Sequence, residues 1–174
     1  MKYLLVIIVA LLYYSCKDIK FTEPQPKGIE SLAVFPEELR GIYYDSKNND
    51  TLRIQKNAFI FGNKASLIYS EGTISDTLVI KAWENNYFVN LYENNLWNLF
   101  IVNVLANKDL TIAVIDTEEA ENIEKIKALI PLKEVYNNNN QIEYYVAQPS
   151  AEALKKIIAL QSILEKVELK RISK

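Results

Sequence analysis

The chain has 174 residues, the length of one domain. Its 20 basic and 22 acidic residues leave a net charge of −2, which gives nucleic acid no electrostatic footing. It has no histidine and a single cysteine, so imidazole acid–base chemistry, internal disulfides and Cys-cluster metal sites are excluded.

In chain order, Lys2 is followed by an unbroken apolar run from Tyr3 to Tyr14. A bilayer-spanning helix needs about 20 such residues, so this run has the length of a signal-peptide core instead. Ser15 and Cys16 close it, and Lys17-Asp18-Ile19-Lys20 turns polar with no stop-transfer pattern. The stretch from Leu12 to Cys16 resembles the lipobox of bacterial lipoproteins, with Tyr13 and Tyr14 where that pattern usually has smaller or aliphatic residues. The resemblance implies removal of residues 1–15 as a signal peptide, acylation of Cys16 (palmitate among the chains) and anchoring in the cell envelope. A plain secretory signal or a signal anchor is the other reading. Lys17 in place of an aspartate after the cysteine implies, by similarity to lipoprotein sorting rules, the outer membrane. Whether the protein faces the periplasm or the surface stays open.

Residues 16–34 carry Pro24, Pro26 and Gly28 among charges, the composition of a flexible tether. Extended, it would reach at most about 60 Å. From Phe35 the pattern changes to short β-type runs, predicting strands near 42–45, 50–55, 58–61, 66–70, 75–82, 86–92, 96–105 and 110–115. Leu78, Ile80 and Ala82 alternate with Val79, Lys81 and Trp83, and Tyr87, Val89 and Leu91 with Phe88, Asn90 and Tyr92. Period-two alternation at this spacing predicts an antiparallel meander. Glu84-Asn85-Asn86 and Glu93-Asn94-Asn95 fall between strands, where asparagine tolerates the positive φ of tight turns.

After Ile115 the period changes. Asp116 and Glu119 resemble a capping box ahead of a helix with Ala120, Ile123, Ile126 and Ile130 on one face, stopped by Pro131. A hairpin follows over 132–136 and 141–147. Ser150 is the expected N-cap of a second helix with a stripe of Leu154, Ile157, Ile158 and Leu164. A last strand is expected over 167–172. The expected fold is α+β and β-rich: one globular domain over 35–174, made of a β meander (35–115) and a helix–hairpin–helix tail (116–174).

The segment Phe35-Pro36-Glu37-Glu38-Leu39-Arg40-Gly41-Ile42-Tyr43-Tyr44 resembles the entry of lipocalin-like domains. There a short helical turn leads into a first strand carrying Gly-x-aromatic. Gly41 and Tyr43 take those positions, with tyrosine for the family's usual tryptophan. The resemblance implies an eight-stranded barrel over roughly 35–115. The layout of the whole chain is also similar to that of small Gram-negative envelope lipoproteins, which implies no activity.

Little points to catalysis. No serine sits in Gly-x-Ser-x-Gly or Ser-x-x-Lys, and no Gly-rich loop cradles phosphate. Asp45, Asp76, Glu84, Glu93 and Asp116 fall at turns or strand ends, as solvated turn residues do. A glycosidase pair among them stays open, because pairing happens in space. In the run from Asp45 to Asp50, Lys47 and the missing glycine reject a calcium loop. No catalytic residue, metal or cofactor is assigned. The aromatics Tyr43, Tyr44, Tyr69, Trp83, Tyr87, Phe88, Tyr92, Trp97 and Phe100 lie on predicted strands, where they either build the core or line an apolar or sugar-binding cavity. Tyr43, Trp83, Tyr87 and Trp97 are the candidate cavity wall. The two Asp-Thr-Leu tripeptides at Asp50 and Asp76 resemble bacterial O-glycosylation acceptors, which implies exposure of Thr51 and Thr77.

The expected function is a lipid-anchored, non-enzymatic envelope module that binds a small apolar or glycan ligand. The alternative is an envelope assembly protein whose partner is another protein, met through the terminal helices. A histidine-free hydrolase is third.

Overall fold

A computed structural model describes residues 17–62 and 69–173. Cys16 and the apolar run before it lie outside these residues, as does most of the strand expected at 66–70. Among the described residues the strands are β1 (Ile19–Phe21), β2 (Gly41–Asp45), β3 (Asp50–Ile54), β4 (Ala58–Phe61), β5 (Ser70–Thr73) and β6 (Leu78–Trp83). They continue with β7 (Asn86–Glu93), β8 (Leu96–Val104), β9 (Leu110–Ile115), β10 (Lys133–Tyr136), β11 (Ile142–Ala147) and β12 (Leu164–Ser173). Two helices, α1 (Ala120–Lys127) and α2 (Ala151–Ala159), and two 3-10 turns, at Glu37–Leu39 and Gln161–Ile163, complete the described elements.

The turns follow the expected chemistry with one exchange. Between β7 and β8, Asn94 and Asn95 take φ of 52° and 66°, but between β6 and β7 it is Glu84, at 53°, that goes left-handed. Ser150 caps α2, its side chain accepting the Ala153 N–H at 3.2 Å. No capping box forms at α1. Asp116 instead accepts the Glu118 N–H at 2.8 Å and the Asn122 Nδ2 at 2.9 Å, and Glu119 occupies the cap without a side-chain bond. The second helix ends at Ala159, not beyond Leu164. Leu164 pairs with Ile115, and the last strand runs ten residues from there.

The sheet is large, open and mostly antiparallel. From β5 the pairing passes through β4, β3, β2, β12, β9, β8 and β7 to β6, every step antiparallel. Nine strands joined by eight reversals leave the first and the last pointing the same way. The sheet curls until β5 and β6 meet, with Gly72 packed against Leu78, but the two do not pair. The eight-stranded lipocalin-like barrel expected from the sequence is therefore not closed. β12, which the expectation left outside the barrel, is inserted between β9 and β2, and its presence makes the strand number odd.

Both faces of the middle of the sheet are buried. On the inner face Tyr43, Leu52, Leu78, Ile80, Val102 and Leu169 pack together with Phe35 and Leu39. On the outer face Phe88, Leu99, Ile101 and Ala113 pack against Ile123 and Ile126 of α1 and Leu154 and Ile157 of α2. β8 serves both cores, with Ile101 1% and Val102 4% exposed. Fully burying such a side chain contributes about 1.5–3 kcal/mol. Residues 116–163 thus supply most of the cover of the outer face, while β12 belongs to the sheet itself.

Residues 17–34, expected as a free tether, are folded onto the body. β1 pairs in parallel with β11 and meets β8 at Phe21 and Trp97. Beyond β1 the segment is clamped by two polar side chains of the sheet. Asn90 behaves as a piece of strand edge: its Oδ1 accepts the Gln25 N–H at 2.7 Å and its Nδ2 donates to the Gln25 carbonyl at 2.8 Å. Lys81 Nζ donates to the Pro24 and Pro26 carbonyls, both at 2.8 Å. Burial pushes the Lys81 pKa down, opposed by the nearby Glu23 carboxylate. The chain then reaches the free edge of β6, where the Leu32 N–H bonds the Ile80 carbonyl at 2.8 Å, and the Phe35 N–H bonds the Lys56 carbonyl at 2.8 Å. Composition alone suggested a tether, but Ile19 and Phe21 have apolar partners waiting on β8 and β11, and the polar stretch has Asn90 and Lys81.

Asn90 is fully buried. Replacing it by alanine strands the backbone N–H and C=O of Gln25, so Asn90→Ala is expected to lower stability by about 1–3 kcal/mol in urea unfolding. A loss within error of zero would show that the segment is not held this way.

Candidate functional site

One end of the curled sheet is sealed. Phe35 and Leu39, from the entry and the 3-10 turn, plug it from below. Tyr43 is wholly buried above them and its hydroxyl donates to the Leu39 carbonyl at 3.0 Å. The Arg171 guanidinium lies 5.5 Å from the Tyr43 ring centre and also donates to the Arg40 carbonyl. Burial pushes the Tyr43 hydroxyl pKa up, against the pull of Arg171. Gly41 is required at this seal. Its φ is +155°, and a Cβ there would lie 2.8 Å from the Ser173 carbonyl oxygen and 3.0 Å from the Arg171 guanidinium. Tyr87 closes the same end with a hydrogen bond to Glu38 Oε1, and burial together with that carboxylate pushes its pKa up to about 12.

The four candidate wall residues are not brought together. Tyr43 and Tyr87 belong to the inner core at the sealed end. Trp83 and Trp97 belong to the outer face. Trp83 packs 6.5 Å from the Phe88 ring with Lys155 Nζ 5.8 Å above it, and Trp97 stacks at 4.9 Å on Tyr92. These aromatics build the two cores and the seal.

The opposite end is open and carries two hollows. One, about 410 Å³, lies between β5 and the β6–β7 hairpin, with Ser70, Gly72 and Thr73 on one side and Leu78 and Leu91 on the other. The second, about 260 Å³, lies where β1 and β9 part along β8, with Asp18, Lys20, Val114 and Glu165 around it. They adjoin, because Glu93, Asn98 and Phe100 line both. Asn98 Nδ2 donates to Glu93 Oε2 at 3.2 Å, which orients the carboxamide beside Phe100 in the lining of both hollows. The arrangement offers an apolar floor, amide and carboxylate groups around it, and access from solvent. Phe100 was among the aromatics legible in the sequence, but Asn98 and Glu93 read only as ordinary strand and turn residues. The one available signal was that Asn98, Phe100 and Val102 share a face.

Among the other carboxylates, Asp45 and Glu84 have structural work. Asp45 is 2% exposed at the end of β2 away from the seal. It accepts the N–H groups of Lys47 and Asn48 at 2.9 and 3.3 Å and the Asn48 Nδ2 at 2.8 Å. Glu84 pairs with Lys155. Among the described residues no three Asp, Glu, Cys or His side chains are placed to hold a metal ion. Thr51 and Thr77 are both exposed, and Thr77 edges the larger hollow. No helix among the described residues is long and apolar enough to cross a membrane. Comparison with protein-family models, with curated protein sequences and with solved structures gave no match in any of the three.

Burial works against the charge of Asp45, but the hydrogen bonds from Asn48 and Lys47 outweigh it and hold its pKa below 3.8. The stability this carboxylate supplies is therefore complete above the unfolded value and is lost as pH falls through the lower folded value. The stability gap between the wild type and Asp45→Ala, measured by urea unfolding, should be constant near neutrality and narrow below pH 3.8. A gap that stays constant through that acid range would remove the charge from the account.

Proposed function

We propose that the protein is a non-enzymatic binding module of the bacterial cell envelope, anchored through an acylated Cys16, and that it takes a small glycan or similarly polar-rimmed ligand at its open end. The observation that carries the reading is the pair of adjoining hollows sharing Phe100, Asn98 and Glu93. An apolar floor with a few convergent polar groups is the usual make-up of a small-ligand site, and a sugar ring presents one apolar face and a rim of hydroxyls to match it. The sealed end supports the finer likeness to a lipocalin-like cup: Gly41 and Tyr43, which the resemblance assigned to its entry, both lie in that seal.

The anchor and the site are close in the chain. Two residue steps separate Cys16 from Asp18, a span of at most about 7 Å. With Asp18 lining the smaller hollow and the Lys17 carbonyl taking the Thr117 hydroxyl, an acylated Cys16 would hold that hollow beside the headgroups. In this reading the module works at the membrane surface and not at the end of a long tether. The outer membrane remains the proposed location, on the strength of Lys17 after the cysteine.

Native mass spectrometry of the full protein, extracted from membranes in detergent, tests the reading. A mass above that of the acylated chain, lost on denaturation, is expected. Phe100→Ala and Asn98→Ala should each reduce its retention about tenfold, the equivalent of 1.4 kcal/mol. A bare acylated chain that also ignores added envelope glycan fragments would overturn the ligand assignment. A mass showing no acyl chains would overturn the anchor.

A further inference from the structure

We propose that the smaller hollow is the subsite for an acetamido group, so that the ligand of the open end is an N-acetylated amino sugar. This inference rests on the glycan reading above and names the class of sugar.

A break in the sheet carries the proposal. One edge of β8 pairs with β7. The other edge is shared by two strands: β1 meets it at Trp97, and β9 joins it from Ile101 onward. The two ladders stop on either side of Leu99. Continued by two residues, the β1 register would bring Ile19 to Leu99 and the β9 register would bring Ile115 there, and neither pairing forms. The two strands instead part from β8 and meet each other beyond it, where the Thr117 hydroxyl donates to the Lys17 carbonyl. The hollow of about 260 Å³ is the opening left between them, and Leu99, Ile19 and Ile115 all line it.

The neighbouring bonds show which way the backbone groups turn. The N–H and C=O of one residue face the same edge of an antiparallel strand, and successive residues alternate. The Leu105 N–H bonds the Asp109 carbonyl across the β8–β9 turn. Leu99, in step with Leu105, therefore turns its N–H and C=O away from β7 and into the opening. Ile115, in step with Asp109, turns its own toward β8, while the Asp116 N–H goes to Ile163 on the other side. The Asp18 carbonyl and the Thr22 N–H both bond β11, so Ile19 turns its groups toward β8. Leu99 on one wall and Ile19 and Ile115 on the other thus aim backbone donors and acceptors into the same space.

This geometry suits an amide. A secondary amide is planar and trans, with its C=O and N–H pointing to opposite sides. In the opening its carbonyl accepts from the Leu99 N–H, and its N–H donates to the Ile19 or Ile115 carbonyl on the far wall. A sugar hydroxyl carries donor and acceptor on one atom and serves one wall only. Phe21 and Val114 supply apolar surface for the acetyl methyl. The volume is about eight times the ~30 Å³ share of one water, ample for an acetamido group. The sugar ring that carries the group then lies beside Asn98 and Phe100, which join this hollow to the larger one.

Two measurements on the full-length protein in detergent test the proposal. In isothermal titration, the β-linked trimer of N-acetylglucosamine should bind at least tenfold more tightly than the matching glucose trimer, which has a hydroxyl in place of each acetamido group. Amide hydrogen exchange reads the opening itself. In the free protein the Leu99 amide should exchange at least tenfold faster than those of Trp97 and Ile101, which sit in the two ladders, and the N-acetylglucosamine trimer should slow it at least tenfold. Equal binding of the two trimers, or binding of neither, would overturn the proposal. So would slow exchange at Leu99 in the free protein, because its N–H would already have a partner. A retained polar mass that depends on Phe100 but contains no amide removes this inference and leaves the glycan reading standing. A bare chain that takes up neither trimer removes both.

Discussion

Antiparallel pairing reverses strand direction at each step, and eight such steps lie between β5 and β6. The two end strands therefore run the same way, and the curled sheet meets itself in a mismatch that no rearrangement of side chains removes. β12 creates the mismatch by inserting between β9 and β2, and the chain then accommodates it in two halves. Toward the sealed end, residues 31–35 fill the gap with a single antiparallel bridge and the Phe35 side chain. Toward the open end, the gap stays a hollow. The position of the candidate site follows from strand number before any side chain is considered.

The same strand order explains why the terminal segments are integral. A cup with one buried face could leave the outside of β7, β8 and β9 to water. Here that outside is apolar, with Phe88, Leu99, Ile101 and Ala113 in one cluster, so it demands a cover. The helices α1 and α2 cover most of it, and β1 with the clamped residues 22–30 reaches across what remains. Polar clamps suit that last task. Lys81 and Asn90 present fixed donors and an acceptor to a stretch whose prolines and charges could not pack as a helix or pair as a strand. Burying an amide or ammonium group is costly unless it is hydrogen-bonded, and each of these two finds backbone partners at 2.7–2.8 Å.

Strands and turns were legible in the sequence because period-two alternation and asparagine at tight turns are local properties. β2, β3, β4, β6, β7, β8 and β9 lie close to the expected ranges. The sheet order was not legible, since nothing in Leu164–Ser173 states that it will separate β9 from β2. The docking of residues 17–34 was not legible for a related reason. Pro24, Pro26 and Gly28 describe the chain's own stiffness, whereas its path is set by Asn90, more than sixty residues away. The site suffered most. Aromatic content marks Tyr43, Trp83, Tyr87 and Trp97, but the register divides them between two cores. The residues at the mouth, Asn98 and Glu93, carry ordinary strand and turn chemistry and become notable only when Phe100 is found lining the same two hollows.

An unpaired strand edge is a hazard, because it offers hydrogen bonds to any passing chain. This protein limits the hazard in recognisable ways. β5 is only four residues long, Glu71 puts a charge on its exposed side and hydrogen-bonds Tyr69, and residues 31–32 cover the neighbouring edge of β6. Yet the cover stops short. Beyond Ile80 the next seam-facing carbonyl of β6, on Leu78, accepts the Ser75 N–H at 3.1 Å, and the segment turns away to Phe35 and the seal. What remains open is a short edge with two outward backbone positions and an acid-lined hollow beneath. Such an edge is too short and too charged to recruit chains at random.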